Sequence, residues 1–552
     1  MSPRDAAAVK PDRPLPANDA GPVAAGAEKK SRPIGAGQPH VYPAKVHRAH
    51  VLGYLAMVFG MFMAILDIQI VSSSISEIQA GLSASADEIA WVQTSYLIAE
   101  VIMIPLSGYL SRLLSTRVLF VLSALGFTTM SILCATATNL ELMIVYRALQ
   151  GFLGGAMIPT VFATSYLLFP PQRRAGISVI IGLVATLAPT IGPTLGGYLT
   201  EAISWHWLFL INVVPGLLVA AAVWSLLDID KPDWHLLKGF DTAGIVLMAA
   251  FLGSLEFVME EGPRKDWFTD DYIATFAVVC VVAAVGFFAR VVTYRNPIVD
   301  MRAYTDRNFA VGSVFSFVIG VGLYGAVYVM PLFLARVRGY NSLEIGLTMF
   351  VTGMFQFLSA PAAGFLARRI DLRLMLGMGF ALFGIGLLLN AGLTNQSAFW
   401  DLFLPQAVRG ASLMFCFVPI NILSLGTLPP EKLKNAAGLY NLTRNLGGAI
   451  GLAGINTVLT DRMALHVSRL SDWINSGSAQ VQAWLDAVSA RLGTMLPDGD
   501  LAALKLLNNI VQREAQVLTF NDILMTMAVL FFAVLLALPL VRKPKLFGAD
   551  AH

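Results

Sequence analysis

Apolar residues run along this chain in long unbroken blocks, each about twenty residues and almost free of charge, as in Val118 to Thr138, Ile273 to Val292 and Ile523 to Val541. A helix of that length crosses a hydrocarbon layer about 30 Å thick. Continuous rather than alternating blocks exclude a strand-built barrel, and only a helix satisfies every backbone group within one segment. Cutting the pattern at charged and turn-forming breaks predicts roughly fourteen spans. Their cores lie near 52–76, 90–111, 117–138, 141–168, 174–199, 206–227, 241–260, 272–293, 309–335, 343–366, 373–393, 402–427, 436–460 and 520–541.

An even number of spans puts both ends of the chain on one side. The connections holding Arg112 and Arg117, Arg173 and Arg174, Lys231 and Lys238, Arg295 and Arg302, Arg368, Arg369 and Arg373, and Lys432 and Lys434 fall on that side with the basic tails. The positive-inside rule makes it cytoplasmic. Opposite connections are poor in basic residues or balanced by acids, as in EEGPRKDWFTDD from Glu260 to Asp271. One of them, 461–519, is long and carries Val481, Trp484, Leu485, Val488 and Leu492 on one helical face, which predicts surface helices rather than another span. A spacer and a docking face for an extracytoplasmic partner both remain open for it. Residues 1–50, rich in Ala, Pro, Gly and Lys/Arg and without an apolar core, read as a disordered cytoplasmic tail rather than a signal peptide, and 542–552 as a second cytoplasmic tail.

Composition narrows the class. Of 552 residues, 56% are hydrophobic and 13% charged, against about a quarter charged in soluble domains. The chain therefore reads as an all-α polytopic membrane protein. A net charge of +3 gives no reason to expect nucleic acid as a partner. Cys134, Cys280 and Cys416 sit inside apolar blocks without metal or disulfide spacing, so no metal site is expected. No GxxxxGK[ST] loop and no HExxH pattern occurs, which leaves neither P-loop ATP hydrolysis nor a zinc enzyme, and no cofactor is expected.

Two features stand out within the blocks. Asp67, Glu100 and Arg147 lie in the first, second and fourth spans, where an ionisable group costs a few kcal/mol or more unless paired or wetted. GLVATLAPTIGPTLGG, from Gly182 to Gly197, sets Gly182, Gly192, Gly196 and Gly197 beside Pro189 and Pro193. Missing side chains let a neighbouring helix approach closely, and bundle neighbours satisfy the carbonyls that proline frees. Glu256, in the seventh span at 241–260, is set aside as a candidate.

The chain also repeats. GFLGGAMIP from Gly151 reaches Pro170 and Pro171, while GASLMFCFVP from Gly410 reaches Pro429 and Pro430, an offset of 259 in both features. Gly108 precedes Arg112 as Gly364 precedes Arg368. Two homologous six-helix bundles, 51–230 and 301–541, with two additional helices in 231–300, account for both pairs. Duplicated halves around a central site are common in secondary transporters.

These segments resemble the major facilitator superfamily, and within it the EmrB/QacA-type drug:proton antiporter-2 family with fourteen spans. The resemblance covers nearly the whole membrane domain. It rests on LDIQIV, WVQTSYLIA, RALQGFLGGAMIP, GPTLGG, WHWLFLINVVPG, FDTAGI, LEFVMEEGPRKDWF, PIVDMRAYTDRNFAVG, GFLARRIDLR and REAQVLTFNDIL, and the DWF segment from Asp266 is nearest the EmrB branch. It implies the major facilitator fold and proton-driven efflux of small amphipathic organic compounds across the inner membrane, beside a periplasmic adaptor protein and an outer-membrane channel.

Residue by residue, the resemblance makes Asp67 a proton-binding carboxylate and Arg147, with Gln150 and Gly151, the basic RxxQG motif. Glu100 departs from the uncharged polar residue usual there. A carboxylate that gains and loses a proton and a static ion network that only joins helices both remain open for Asp67 and Glu100. The Gly182 to Gly197 segment matches the antiporter motif, associated with sealing and switching. Gln69, Gln150, Arg409 and Arg444 are the candidate cavity residues. The superfamily's GxxxD(R/K)xG(R/K) loop occurs at Gly108 to Arg117, degenerate through Arg112 and Ser115, and at Gly364 to Arg373, where Asp371 and Arg373 are kept. Rival functions are a dedicated exporter or importer of one endogenous lipid or metabolite, and a non-transporting sensor or scaffold.

Overall fold

The computed structural model describes residues 47–543 apart from 86–87, 476–477 and 495–497. The expected tails at 1–46 and 544–552 lie outside the described residues. Among the described residues every regular element is helical.

The first half holds α1 (Arg48–Ser73), the short α2 (Ile75–Leu82), α3 (Trp91–Leu113), α4 (Thr116–Ala135), α5 (Leu140–Gly154), α6 (Met157–Leu168), α7 (Pro171–Ala202), α8 (Trp207–Leu210) and α9 (Val213–Leu226). α5 and α6 form one span interrupted at Gly155 and Ala156, and α8 and α9 another. Then come α10 (Thr242–Glu261) and α11 (Asp271–Thr293), followed by α12 (Arg307–Arg336), α13 (Ser342–Leu366), α14 (Leu372–Asn390), α15 (Phe399–Leu425), α16 (Pro430–Asn475), α17 (Ala479–Leu492) and α18 (Gly499–Val534). Starts are capped where the chain supplies a short acceptor: Asn139, Asp241, Asp306 and Asp371 each accept a backbone N–H of the following turn.

Thirteen helical segments among the described residues are long and apolar enough to cross a membrane. The remaining expected span, 436–460, is the front of α16. Its hydropathy is lowered by Asn441 and Arg444, but both side chains are buried, so their polarity faces protein rather than lipid. α16 packs there against α3, α6, α12 and α18. α11 is the opposite case: it lies on α10 and leaves Val278, Val281, Val282, Val285 and Val292 uncovered. An apolar face of that size suits hydrocarbon, not water.

The duplication seen in the sequence has a structural counterpart. A methyl on Gly151 would meet the backbone of Tyr96 in α3, and one on Gly410 the backbone of Thr352 in α13. Each glycine lets the same pair of helices in its own half touch backbone to side. The halves meet along α3 with α16 and α7 with α13.

At 46 residues α16 is about 70 Å long, more than twice the hydrocarbon thickness. Its end, α17 and the start of α18 form the surface helices expected within 461–519. Val481, Trp484, Leu485, Val488 and Leu492 are half-buried in this bundle, where α17 packs on α18, so that apolar face is largely spent internally. Asp522 sits inside α18, where it caps no helix end, and accepts from His466 Nε2 at 2.9 Å, with Arg462 at 3.7 Å. It ties α18 to the projecting part of α16 instead.

Candidate functional site

Asp67 is 1% exposed and Arg147 0%. Arg147 Nη1 donates to Asp67 Oδ2 at 2.6 Å and to Gln150 Oε1 at 2.7 Å. The other carboxylate oxygen accepts from Asn212 Nδ2 at 2.8 Å and Gln150 Nε2 at 3.2 Å. Gln150 also donates to Ser131 Oγ at 2.8 Å, and Arg147 Nε to the Val92 carbonyl at 3.1 Å. The guanidinium lies over the Tyr96 ring, 4.2 Å from its centroid. One carboxylate thus joins α1, α5 and the start of α9, with α3 and α4 held through Arg147 and Gln150. A buried pair is tolerated in low dielectric when its remaining polar atoms are met; both Asp67 oxygens are, whereas Arg147 Nη2 has no hydrogen-bond partner among the described residues.

At the end carrying the basic loops the halves are shut. A Cβ on Gly108 of α3 would stand 2.9 Å from Asn435 Cα and from the Lys434 carbonyl of α16, so glycine is what permits this approach. Lys434 Nζ donates to the Ser111 carbonyl at 2.9 Å and pairs with Asp230. Asp230 also accepts from Thr116 N at 3.0 Å and from Thr116 Oγ1 at 3.0 Å. Tyr166 donates to the Asn421 carbonyl at 2.6 Å, and Asn435 donates to the Asp300 carbonyl.

Asp230 was not singled out from sequence. Arg112 stands where the loop motif expects an acid; its Nε turns back to the Gly108 carbonyl at 3.4 Å. Ser115 holds the motif's glycine position with φ +81°, a conformation glycine adopts more easily. The acid at this end comes instead from Asp230 in the connection after α9. The signal was present as one of three acids in DIDKPD, but nothing local linked Asp230 rather than Asp228 or Asp233 to Lys434. In the second loop Asp371 caps α14 and pairs with Arg373 at 2.9 Å, and hydrogen bonds from Arg373 hold its carboxyl below the usual carboxylate range. A methyl on Gly364 would meet Val179 of α7 at 3.1 Å.

Toward the opposite end α3 and α16 part, leaving a cavity of about 940 Å³. Its wall includes Gln69, Ser72 and Ser73 of α1, Gln93, Leu97 and Glu100 of α3, Pro193 and Thr194 of α7, and Tyr324 and Tyr328 of α12. Of the expected cavity residues, only Gln69 lies on this wall. Gln150 is withdrawn into the Asp67 network; Arg409 bonds Gln406 and Thr352; Arg444 donates to Asn441 and lies by the Phe162 and Phe417 rings. Glu256, set aside from sequence, does line the cavity, with Glu260 and Glu261. α10 packs against both α3 and α16, so it spans the gap between them. Trp267, just beyond α10, donates to Thr457 of α16 at 3.0 Å, and Glu261 accepts from Thr94 of α3 at 3.1 Å.

α7 remains one helix through Pro189 and Pro193. A methyl on Gly192 would overlap the Gln69 side chain, one on Gly196 would meet the Ile70 carbonyl at 2.7 Å, and one on Gly182 would meet Met414 of α15 at 3.2 Å. The glycines therefore seat α7 against α1 near Asp67 and against the other half nearer the basic loops. Gly197 is half-buried.

Comparison with known proteins agrees with this geometry. Residues 57–452 match the model of the Major Facilitator Superfamily. The chain is 43% identical over 491 residues to the colistin resistance protein EmrB of Acinetobacter baumannii, covering 89% of this chain and 95% of that one. It is 29% identical to the multidrug export protein EmrB of Escherichia coli (90% and 96% covered) and 28% identical to the fatty acid resistance protein FarB of Neisseria gonorrhoeae (90% and 97% covered). Among solved structures, the human organic anion transporter TETRAN superposes with a TM-score of 0.56 at 13% identity, covering 88% of this chain and 98% of that one, a likeness of fold alone. With the match spanning most of the chain and the halves meeting through α3, α7, α13 and α16, this protein belongs to the Major Facilitator Superfamily of membrane transporters, in the branch of the EmrB proteins.

Proposed function

We propose that this chain is a proton-driven exporter of amphipathic or hydrophobic organic compounds across the inner membrane, with both termini and the basic loops cytoplasmic. Within that reading 51–230 and 301–541 are the two rocking bundles, and 231–300 adds the helices that flank them. The observation that carries it is the Asp67–Arg147 pair, shut inside one bundle and joined there to Gln150 and Asn212. Protonating Asp67 removes the charge that Arg147 faces while leaving its bonds to Val92 and Gln150, so one proton changes how α1, α5 and α9 are held together. α7 packs directly on α1, Gly192 on Gln69 and Gly196 on Ile70, and those two residues follow closely on Asp67 in the chain, so α7 carries that change toward α13. The names of the relatives concern resistance and export, which supports outward transport.

The substrate waits in the cavity between α3, α10, α12 and α16, where apolar walls supply affinity and a few polar groups orient it. The projecting bundle of α16, α17 and α18 is the surface offered to a periplasmic adaptor protein, which in turn would meet an outer-membrane channel; copurification of the adaptor, lost on deleting 462–518, is the result that supports this part. The central test is Asp67→Asn in inverted vesicles. Loss of gradient-driven export with the protein still folded is the expected result, and unchanged coupling would eliminate Asp67 as the carrier.

A further inference from the structure

Glu256 and Glu260 stand four residues apart on α10, on one helical face, and both look into the cavity. Glu100 of α3 lies on the same wall. Glu256 is only 5% exposed and Glu100 3%, and among the described residues neither carboxylate makes a hydrogen bond or an ion pair. Glu261, on the same wall, differs: it is taken up by Thr94 and by Arg264 at 3.6 Å.

The charges around each acid are unequal. Glu100 has Arg444 of α16 and Arg147 of α5 within electrostatic reach, with Asp67 beyond. Glu260 has Glu261 and Arg264 on its own side and Tyr328 of α12 across from it. Glu256 has two further carboxylates, Glu260 and Glu100, and the Tyr324 phenol of α12 within electrostatic reach, while the cations on the cavity wall, Arg264 and Arg336, act on Glu260 and Glu261 and on Tyr328. A buried carboxylate among carboxylates is tolerable only when a proton or a cation neutralises it. Tyr324 and Tyr328, whose side chains are of a type that attracts cations, line the same cavity, and it has the volume of a drug-sized ligand site.

We propose that Glu256, with Glu100 across from it, forms a second acidic site in the cavity, separate from the Asp67–Arg147 network, which holds the positively charged nitrogen of an amphiphilic cation. When the cation leaves, a proton takes its place, so the site always carries one compensating charge. The extra helix α10 thereby supplies a specificity-determining residue that the twelve-helix core lacks. This rests on the transport reading only for the direction of movement, because binding itself needs no gradient.

The test uses full-length protein in detergent, with ethidium as a permanent monocation and Nile red as an uncharged dye of similar ring area, each titrated by fluorescence. In the native protein ethidium affinity falls as the pH is lowered, since protons compete. Glu256→Gln lowers the ratio of ethidium to Nile red affinity at least tenfold and flattens the pH profile, and Glu256→Asp restores part of both. Equal weakening of the two dyes, or an unchanged ratio, overturns the proposal, and so does a native protein that binds ethidium with no pH dependence. Elution and thermal melting of each variant identify a folding defect, in which case the Asp variant alone decides. If binding behaves as stated but proteoliposomes move neither dye under any proton gradient, the export reading fails and the acidic site stands.

Discussion

Replacing Asp230 by Asn tests whether the displaced acid latches the closed end. Asp230 makes three contacts, two with Thr116 in its own half and one with Lys434 in the other. Only the last holds the halves together. The Lys434 side chain is 11% exposed and that of Asp230 21%, so the pair is shielded more than a surface ion pair, which is worth about 0–1 kcal/mol. A hydrogen bond to a charged group contributes about 1.5–3 kcal/mol. Asn keeps the acceptor and loses the charge, so a shift of about 1–2 kcal/mol toward opening at the basic-loop end is expected, roughly five- to thirtyfold in population. Lys434 retains the Ser111 carbonyl, which keeps the loss at the lower end of that range. Spin labels at Arg173 and Glu431, exposed at the starts of α7 and α16, report the separation across the seam. The long-distance population should grow in Asp230→Asn and in Lys434→Met, and the double variant should add little to either. An unchanged distribution, or additive single effects, would refute the latch.

Three more outcomes follow from the geometry. Gly192→Ala and Gly196→Ala force α7 off α1, with an overpacking cost of about 1–3 kcal/mol, read as a lower melting temperature in detergent and slower transport; full stability in both variants would mean that the helices yield freely. Arg147→Met strands a buried carboxylate and should destabilise by about 3–5 kcal/mol, while adding Asp67→Asn recovers part of the loss; additive melting shifts would show that the pair is not coupled. Because the Asp371 carboxyl is depressed in the fold, its contribution is present above the unfolded value near 3.8 and disappears as the pH falls below it. The melting difference between native protein and Asp371→Asn should therefore be flat from pH 5 to 7 and close toward pH 3, and a difference that widens on acidification would reverse the assignment.

What could be read from sequence depended on whether a property was local. Span positions follow from apolar length, and the pairing of halves from the recurring Gly151 and Gly410, whose structural partners are equivalent backbones. Asp67 and Arg147 are 80 residues apart, yet their juxtaposition was legible because two opposite charges in apolar spans have few places to go. The direction in which a polar side chain points was not legible. Arg409 and Arg444 look like cavity residues along the chain, but each is consumed by neighbours on its own or the adjacent helix. Asp230 was hidden for a related reason: the motif's acid was sought within its own loop, whereas the contact needs only a charge near the start of α16 and any loop that arrives there can provide it.

Glu256 shows the same limit in its sharpest form. Its helix is apolar over most of its length, and counting helices places it outside the duplicated core. Yet α7 and α13 pack along one seam while α3 and α16 diverge at the other, and a cavity opened by that divergence would be exposed sideways to lipid. α10 fills the breach, touching both α3 and α16, with Trp267 and Glu261 pinning its outer end to each. A helix that occupies such a gap must turn one face to the cavity and the other to lipid or to α11. The face that turns inward carries Glu256 and Glu260, and acids on the lipid side would have been far costlier. The added pair of helices therefore changes the chemistry of the cavity as well as closing it, and the charge preference of transport should follow α10 rather than the core around Asp67.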